Sequence, residues 1–160
     1  MKVELISYTD DAVNLLLFTK NTRLMNDDDA YAQIADWSEE KKQEELDYML
    51  KTIRSSWEFI DYTFNIRDVS RGFTHQFVRP RQASYAQQSQ RTVDMEGFTY
   101  YTPERYYEND YAKLLYDQTM EMINMRYQQL REMGIPAEDA RGILPTNIHT
   151  NIVAKFNLCT

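Results

Sequence analysis

The segment 102–133 constrains the fold of this chain more than any other feature of its sequence. Thr102 and Pro103 are residues that open helices, and Gly134 closes one well because glycine tolerates a left-handed backbone. A single long helix is therefore predicted. Its apolar residues form two stripes at helical spacing: Tyr111, Leu115, Met122, Met125 and Met133 in one, and Tyr116, Met120, Ile123, Tyr127 and Leu130 in the other. A helix that is apolar on two sides is either central to its domain or part of a subunit interface.

Shorter elements flank this helix. Alternating patterns predict strands over residues 2–8 and 59–68. A final strand is predicted over 150–157, and residues 84–92 are predicted to be extended. Capping patterns predict helices that begin after Asp10 or Asp11, Ser38 and Ser70 and end near Lys20, Ile53 and Val78. One short helix is predicted to end at Trp37, and another is predicted over 136–141. The apolar stripe of the helix after Ser38 is Leu46, Met49, Leu50 and Ile53. This order of elements predicts one α+β domain over residues 1–160.

Composition excludes several classes of protein. The longest apolar run is too short to span a membrane, and the first residues turn acidic without the apolar core of a signal peptide. A single cysteine rules out an intramolecular disulfide framework. The net charge of −7 argues against general nucleic-acid binding. We therefore expect a cytosolic protein that binds neither nucleic acid nor membrane.

The charge is unevenly distributed along the chain. Residues 67–91 contain five arginines and one acid, a local charge of +4 within an acidic protein: Arg67, Arg71, Arg79, Arg81 and Arg91 against Asp68. Arginine binds phosphate through a planar, bidentate fork, so this window favours a site for a small anion. The alternative is that these arginines lie on the surface and pair with acids elsewhere.

Polar residues in the same window are spaced in a way that predicts a pocket. Gln76 and Arg79 are three residues apart and would share a face of a helix. Gln87, Ser89 and Arg91 are spaced by two and would share a face of an extended segment. If the two faces meet, the resulting set of guanidinium, amide and hydroxyl groups can hold a phosphate and read the edge of a planar ring.

The chain lacks the usual residues of self-sufficient catalysis. It has no P-loop, no dinucleotide-type glycine pattern and no cluster of cysteine and histidine for a metal. Packing or hydrogen bonding is the favoured role for His75 and His149, and an inert thiol is the favoured interpretation of Cys159. Any chemistry at this pocket is therefore expected to belong to a cofactor.

Arg79, Pro80 and Arg81 are followed, after seven residues, by Ser89. This spacing resembles the signature of the flavin-dependent thymidylate synthases, which is Arg-His-Arg, seven residues and then Ser. Three further segments resemble segments of the family and follow one another in the family's order: SSWEFIDYTFNI, DVSRGFTHQFVR and EDARGILP. The spacing from Arg141 to Asn157 is similar to that before the family's Asn-x-Arg element. The resemblance runs from about Thr19 to the end of the chain and implies a mixed or antiparallel sheet packed against long helices.

The resemblance also implies a function and a set of site residues. It implies reductive methylation of dUMP to dTMP with FAD as cofactor, NADPH as reductant and methylenetetrahydrofolate as carbon donor, in a homotetramer whose sites are shared between subunits. By resemblance, the dUMP-binding residues are Gln76, Arg79, Gln87, Ser89, Arg91 and Arg141, and the FAD-binding residues are Ser55, Arg79, Arg81, Gln87 and Asn157. No metal is implied, and no catalytic residue is assigned.

This sequence also departs from the family pattern. The substituted positions are Ile53, Phe59, Pro80, Ala86, Gln87 and Thr92, and Gln87 replaces a glutamate. Cys159 stands where the family has the arginine of Asn-x-Arg, and the family continues into a helix with a further pyrimidine-polarising arginine. We therefore expect a C-terminally truncated chain that is inactive alone. Two alternatives stay open: the same fold acting on another pyrimidine, for example by hydroxymethylation, and a non-catalytic nucleotide-binding or oligomerisation module.

Overall fold

The computed structural model describes residues 1–22 and 28–160. The α helices are α1 (Ala12–Asn21), α2 (Ala30–Ala35), α3 (Glu39–Thr52), α4 (Arg71–Phe77), α5 (Asp110–Glu132) and α6 (Ala137–Ala140). The strands are β1 (Lys2–Tyr8), β2 (Asp61–Ser70), β3 (Ser84–Gln87) and β4 (His149–Asn157), and 3-10 helices cover Ser55–Phe59, Glu104–Glu108 and Arg141–Ile143. The strands form an antiparallel sheet in the order β1-β2-β4-β3, which confirms the predicted α+β class.

The described residues form two compact units. The first unit contains Met1–Val3, Asn65–Arg79 and Tyr85–Val153, and the second contains Glu4–Phe64, Pro80–Ser84 and Ala154–Thr160. That residues 1–160 make one domain stays a prediction. Within residues 1–22 and 28–160, every helix is too short or too polar to cross a lipid bilayer.

Helix α5 supplies the core of the first unit through one of its two apolar stripes. Tyr127 is fully buried, and it clusters with Met95, Ala140 and Ile148. The Tyr127 hydroxyl accepts a hydrogen bond from the backbone N–H of Met95 at 3.2 Å. The other stripe lies exposed along the helix, with Tyr111, Leu115, Met122, Met125 and Met133 all more than half accessible. The two predicted stripes therefore have different environments: one is core and one is surface.

The predicted start of the long helix is wrong, whereas its end is confirmed. Pro103 precedes the 3-10 helix Glu104–Glu108, and the chain then becomes extended at Asn109, with φ −144°. Asn109 caps α5, since its side-chain oxygen accepts from the Ala112 N–H at 3.1 Å. At the other end, Gly134 adopts φ +85°, the left-handed geometry for which glycine is suited.

The second unit has its own apolar core. Leu16 and Leu17 of α1, Ile34 of α2, Met49 of α3 and Ile60 are buried against one another. Bulky residues that are partly buried pack around this cluster: Leu15, Phe18, Trp37, Leu46, Trp57 and Tyr62 among them.

One prediction within the second unit is confirmed and two are wrong. Ser38 caps α3, because its side-chain oxygen accepts a hydrogen bond from the Lys41 N–H at 3.3 Å. Leu50, however, is 62% exposed because it lies one position beyond the buried Met49 and turns away from the core. The strand predicted from Phe59 begins at Asp61, because the preceding residues close a 3-10 turn and leave Phe59 exposed.

Candidate functional site

Helix α4 begins directly after Ser70, which caps it, and ends before Arg79, the first arginine of the signature. Ser70 accepts from the Phe73 N–H at 3.0 Å, as its position predicts. The helix ends at Phe77, so Gln76 and Arg79 do not share a helical face as predicted. The chain turns instead: the Arg79 N–H donates to the Gln76 carbonyl at 3.2 Å, and Arg79 Nε donates to the His75 carbonyl at 3.2 Å. Gln76 and Arg79 therefore lie next to each other on the surface of the first unit.

The predicted extended face of residues 84–92 is also wrong. Strand β3 ends at Gln87, whose side-chain amide donates to the Thr74 hydroxyl at 2.7 Å. The chain then turns, because the Ser89 carbonyl accepts from the Val93 N–H at 3.2 Å. The Ser89 hydroxyl accepts from the Arg91 N–H at 3.1 Å, a local bond that competes with strand pairing. Gln87, Ser89 and Arg91 are thus arranged around a turn rather than along one face.

This turn brings arginines from distant parts of the first unit together. The Arg91 guanidinium forms an ion pair with the Glu138 carboxylate on α6. Arg141 follows α6, and its Nε donates to the Glu138 carbonyl at 2.9 Å. Two of the arginines that were predicted to bind the nucleotide therefore meet at one residue, beside the predicted Ser89.

Arg71, the first residue of α4, completes this group and was not among the predicted site residues. Its Nη1 donates to the Gln88 carbonyl at 3.3 Å, within the same turn. Partial burial, and next the positive charge of Arg141, lower the pKa of the Arg71 guanidinium below its ordinary value. It does not form an ion pair with any carboxylate of residues 1–22 or 28–160. Two sequence signals could have identified it: its place in the basic window and its place in the segment DVSRGFTHQFVR, which resembles a family segment.

We refer to Arg71, Arg91, Arg141 and Glu138 as the arginine cluster. It contains three guanidinium groups and one carboxylate, so it carries an excess positive charge in a protein of net charge −7. Like charges that are held together favour the binding of an anion between them. The geometry of the first unit therefore supports a phosphate or carboxylate site at the turn 88–91.

The other predicted site residues, Ser55, Arg81 and Asn157, belong to the second unit. Ser55 and Arg81 are exposed, and neither side chain has a hydrogen-bond or salt-bridge partner in the part of the chain that the structure describes. The Asn157 side-chain oxygen accepts from the backbone N–H groups of Cys159 and Thr160, each at 3.0 Å. Asn157 therefore closes the final turn of its own chain, while Ser55 and Arg81 are available to a ligand.

Ser55 lines a cavity of about 460 Å³ within the second unit. Lys20, Tyr48 and Arg54 contribute to the same cavity. The Lys20 ammonium lies 4.5 Å from the centre of the Tyr48 ring and forms an ion pair with Glu45. Burial lowers the pKa of Lys20 below its ordinary value. Because Lys20 is already paired with Glu45, the groups of this cavity that suit an anionic ligand are Arg54 and the Ser55 hydroxyl.

The side chains of Cys159 and His149 each form one hydrogen bond within the described part of the chain. Cys159 is exposed, and its thiol donates to the Arg54 carbonyl at 3.0 Å. His149 Nδ1 shares a hydrogen bond with the Thr99 hydroxyl at 2.9 Å. Among residues 1–22 and 28–160, no three histidine, cysteine or acidic side chains converge as metal ligands would.

The fold is shared with a nucleotide-modifying enzyme of known structure. The UMP/dUMP methylase PolB of Streptomyces cacaoi, solved with 5-Br dUMP, superposes with a TM-score of 0.79 and 19% identity, over 98% of this chain and 72% of that one. At this identity the likeness shows the fold alone.

Sequence comparison identifies the family. A family model described as "Thymidylate synthase complementing protein" matches residues 4–160. The flavin-dependent thymidylate synthase of Sulfurisphaera tokodaii is 32% identical over 160 residues, covering 98% of this chain and 61% of the relative. That of Geobacter sulfurreducens is 37% identical over 106 residues, covering 65% of this chain and 46% of the relative. The chain belongs to the thymidylate synthase complementing protein family, as its resemblance implied, and it spans about half of the length of the relatives it matches.

Proposed function

We propose that this chain forms the nucleotide- and flavin-binding part of a cytoplasmic enzyme that methylates dUMP to dTMP. FAD is the proposed cofactor, NADPH the reductant and methylenetetrahydrofolate the carbon donor. Family membership supports the reaction class. The observation that carries the proposal is the arginine cluster, which offers three guanidinium groups where the family resemblance implies a nucleotide phosphate.

The first unit is the proposed nucleotide-binding part. The Ser89 hydroxyl and the guanidinium groups of Arg91 and Arg141 suit the phosphate, because charge-assisted bonds from guanidinium to phosphate are both strong and directional. Glu138 holds Arg91 in place before the ligand binds, which lowers the entropy cost of ordering that side chain. The full proposed set for dUMP is Gln76, Arg79, Gln87, Ser89, Arg91 and Arg141.

FAD is assigned to the residues that the family resemblance implies. The Ser55 hydroxyl and the Arg81 guanidinium are exposed and have no hydrogen-bond or salt-bridge partner among residues 1–22 and 28–160; both are groups that bind phosphate oxygens, which supports this assignment. When bound, the flavin supplies the electrons that reduce the transferred carbon to a methyl group. The full proposed set is Ser55, Arg79, Arg81, Gln87 and Asn157, and the role of these residues is to bind and orient.

The proposal can be tested with the 160-residue chain. It should bind added FAD, and the flavin absorption band should shift when dUMP is titrated. Titrations with UMP and dCMP separate dUMP from the other pyrimidines. Binding of dUMP by a chain that takes up no FAD would favour the non-catalytic module instead.

A homotetramer is the proposed assembly, and the exposed stripe of α5 is its proposed interface. Met122 is 60% and Met125 55% exposed, and apolar side chains at this density favour contact with a second protein surface. We predict that Met125→Lys shifts the chain to smaller species in sedimentation velocity, because a lysine ammonium is costly to bury. Gln43→Lys, which adds one charge to the exposed face of α3, is the control. An unchanged sedimentation coefficient for Met125→Lys would exclude the stripe from the interface.

A further inference from the structure

Arg71 occupies a position from which it can control the nucleotide site without belonging to the family's signature. It begins α4, where its backbone N–H donates to the Ile148 carbonyl at 3.0 Å, so the start of its side chain is fixed. From there its guanidinium reaches the Gln88 carbonyl at 3.3 Å. Gln88 is also held through its own N–H, which donates to the Asn151 carbonyl on β4 at 3.0 Å.

Gln88 therefore acts as the fixed end of the turn that presents Ser89 and Arg91. Its N–H and its carbonyl are bonded to different elements, one to β4 and the other to Arg71. Within residues 1–22 and 28–160, the residues that follow have only local or surface bonds: the Val93 N–H to the Ser89 carbonyl, the Arg91 N–H to the Ser89 hydroxyl, and the Arg91 guanidinium to Glu138. The loss of the Arg71 bond would leave one of these two anchors and allow the turn to rotate.

Charge gives Arg71 a second effect on the same site. It has no carboxylate partner among residues 1–22 and 28–160, and it lies close enough to Arg141 for the two positive charges to repel. A bound dianion would relieve this repulsion, so the two guanidinium groups favour an occupied site over an empty one.

We propose that Arg71 is a positioning residue for the nucleotide phosphate. It holds the turn 88–91 through the Gln88 carbonyl, and its charge raises the affinity for a phosphate dianion at Arg141. This inference rests on the proposed nucleotide site and extends it to a residue outside the signature. It predicts that Arg71 increases the affinity for the phosphate group of the nucleotide and contributes little to the affinity for the base and the sugar.

The test compares dUMP with deoxyuridine, which lacks the phosphate, and with inorganic phosphate. In Arg71→Ala, affinity for dUMP and for inorganic phosphate should each fall at least about tenfold, whereas affinity for deoxyuridine should stay within about twofold. Arg71→Lys keeps the charge without the planar fork and should recover part of the loss. Guanidinium ion, added far below denaturing concentrations, should partly restore dUMP binding to Arg71→Ala. Arg105→Ala, an exposed arginine of the same unit, should bind like the wild type.

Each other outcome decides against the inference or against the proposed function. Equal losses for dUMP and deoxyuridine would make Arg71 a structural residue, as would a loss that neither lysine nor guanidinium recovers. Unchanged affinities would also overturn the inference. A wild-type chain that binds inorganic phosphate but not dUMP would contradict the proposed function alone, and Arg71 would then be judged on its phosphate affinity. A wild-type chain that binds neither dUMP nor inorganic phosphate would overturn both the inference on Arg71 and the proposed function.

Discussion

Replacement of Arg141 with alanine is expected to weaken dUMP binding by about 100-fold, which corresponds to about 2.7 kcal/mol. A hydrogen bond to a charged group contributes about 1.5–3 kcal/mol, so the loss of one guanidinium from the phosphate accounts for this effect. Arg141 is half-buried and its Nε is held by the Glu138 carbonyl, so its orientation is set before the ligand arrives. The measurement is calorimetric titration of dUMP into the wild-type and variant chains.

The same substitution should change the stability of the folded state only slightly. It removes the hydrogen bond from Arg141 Nε to the Glu138 carbonyl, and it also removes a positive charge that disfavours the charged form of Arg71. The thermal midpoint should therefore stay close to that of the wild type, which separates lost binding from lost folding. Arg105→Ala serves as the control in both measurements. Binding of dUMP within about threefold of the wild type would remove Arg141 from the phosphate site.

Features that depend on neighbouring residues could be predicted from the sequence. Ser38 and Ser70 cap helices, and Gly134 ends one, because each uses its own side chain or backbone within one turn. The two stripes of α5 also followed from spacing alone, since the period of a helix determines which residues share a face. Which stripe is buried and which is exposed could not be predicted, because two apolar faces give no indication of which one faces the core.

Errors arose where local hydrogen bonds determine the backbone geometry. Residues 84–92 are predicted to be extended, but the Ser89 hydroxyl accepts a hydrogen bond from the Arg91 N–H and the chain turns. Pro103 is compatible with a helix start, but the six residues that follow form a 3-10 turn and an extended cap before α5 begins. In both places a hydrogen bond to a polar side chain, that of Ser89 or that of Asn109, sets the backbone geometry.

The candidate site was predicted in composition but not in arrangement. Family spacing identified Ser89, Arg91 and Arg141, and the structure brings them together through Glu138. Neither Glu138 nor Arg71 could be identified from spacing, because their contacts join residues that are 47 and 17 positions apart in the chain. Only the tertiary structure shows that Arg71, among the arginines of the basic window, lies near Arg141.

Replacement of Tyr127 with alanine is expected to destabilise the first unit by about 4 kcal/mol. The Tyr127 ring is completely buried among Met95, Ala140 and Ile148, so its removal leaves a cavity that the surrounding residues cannot fill. The Met95 N–H also loses its acceptor in a buried place, which accounts for roughly 1–3 kcal/mol of this loss. Urea unfolding followed by circular dichroism measures the loss.

Two further variants separate the contributions of the ring and the hydroxyl. Tyr127→Phe keeps the ring and should lose only about 1–3 kcal/mol, the cost of the unsatisfied Met95 N–H. Met122→Ala, at an exposed position of the same helix, removes a comparable apolar side chain and should change the free energy of unfolding of the monomer by less than about 0.5 kcal/mol. If Tyr127→Ala and Met122→Ala had equal effects, the two stripes of α5 would be equivalent, and the assignment of one to the core would be wrong. Because total stabilities are about 5–15 kcal/mol, the alanine variant of Tyr127 should be close to unfolding at 37 °C, the temperature at which its nucleotide binding would then be lost.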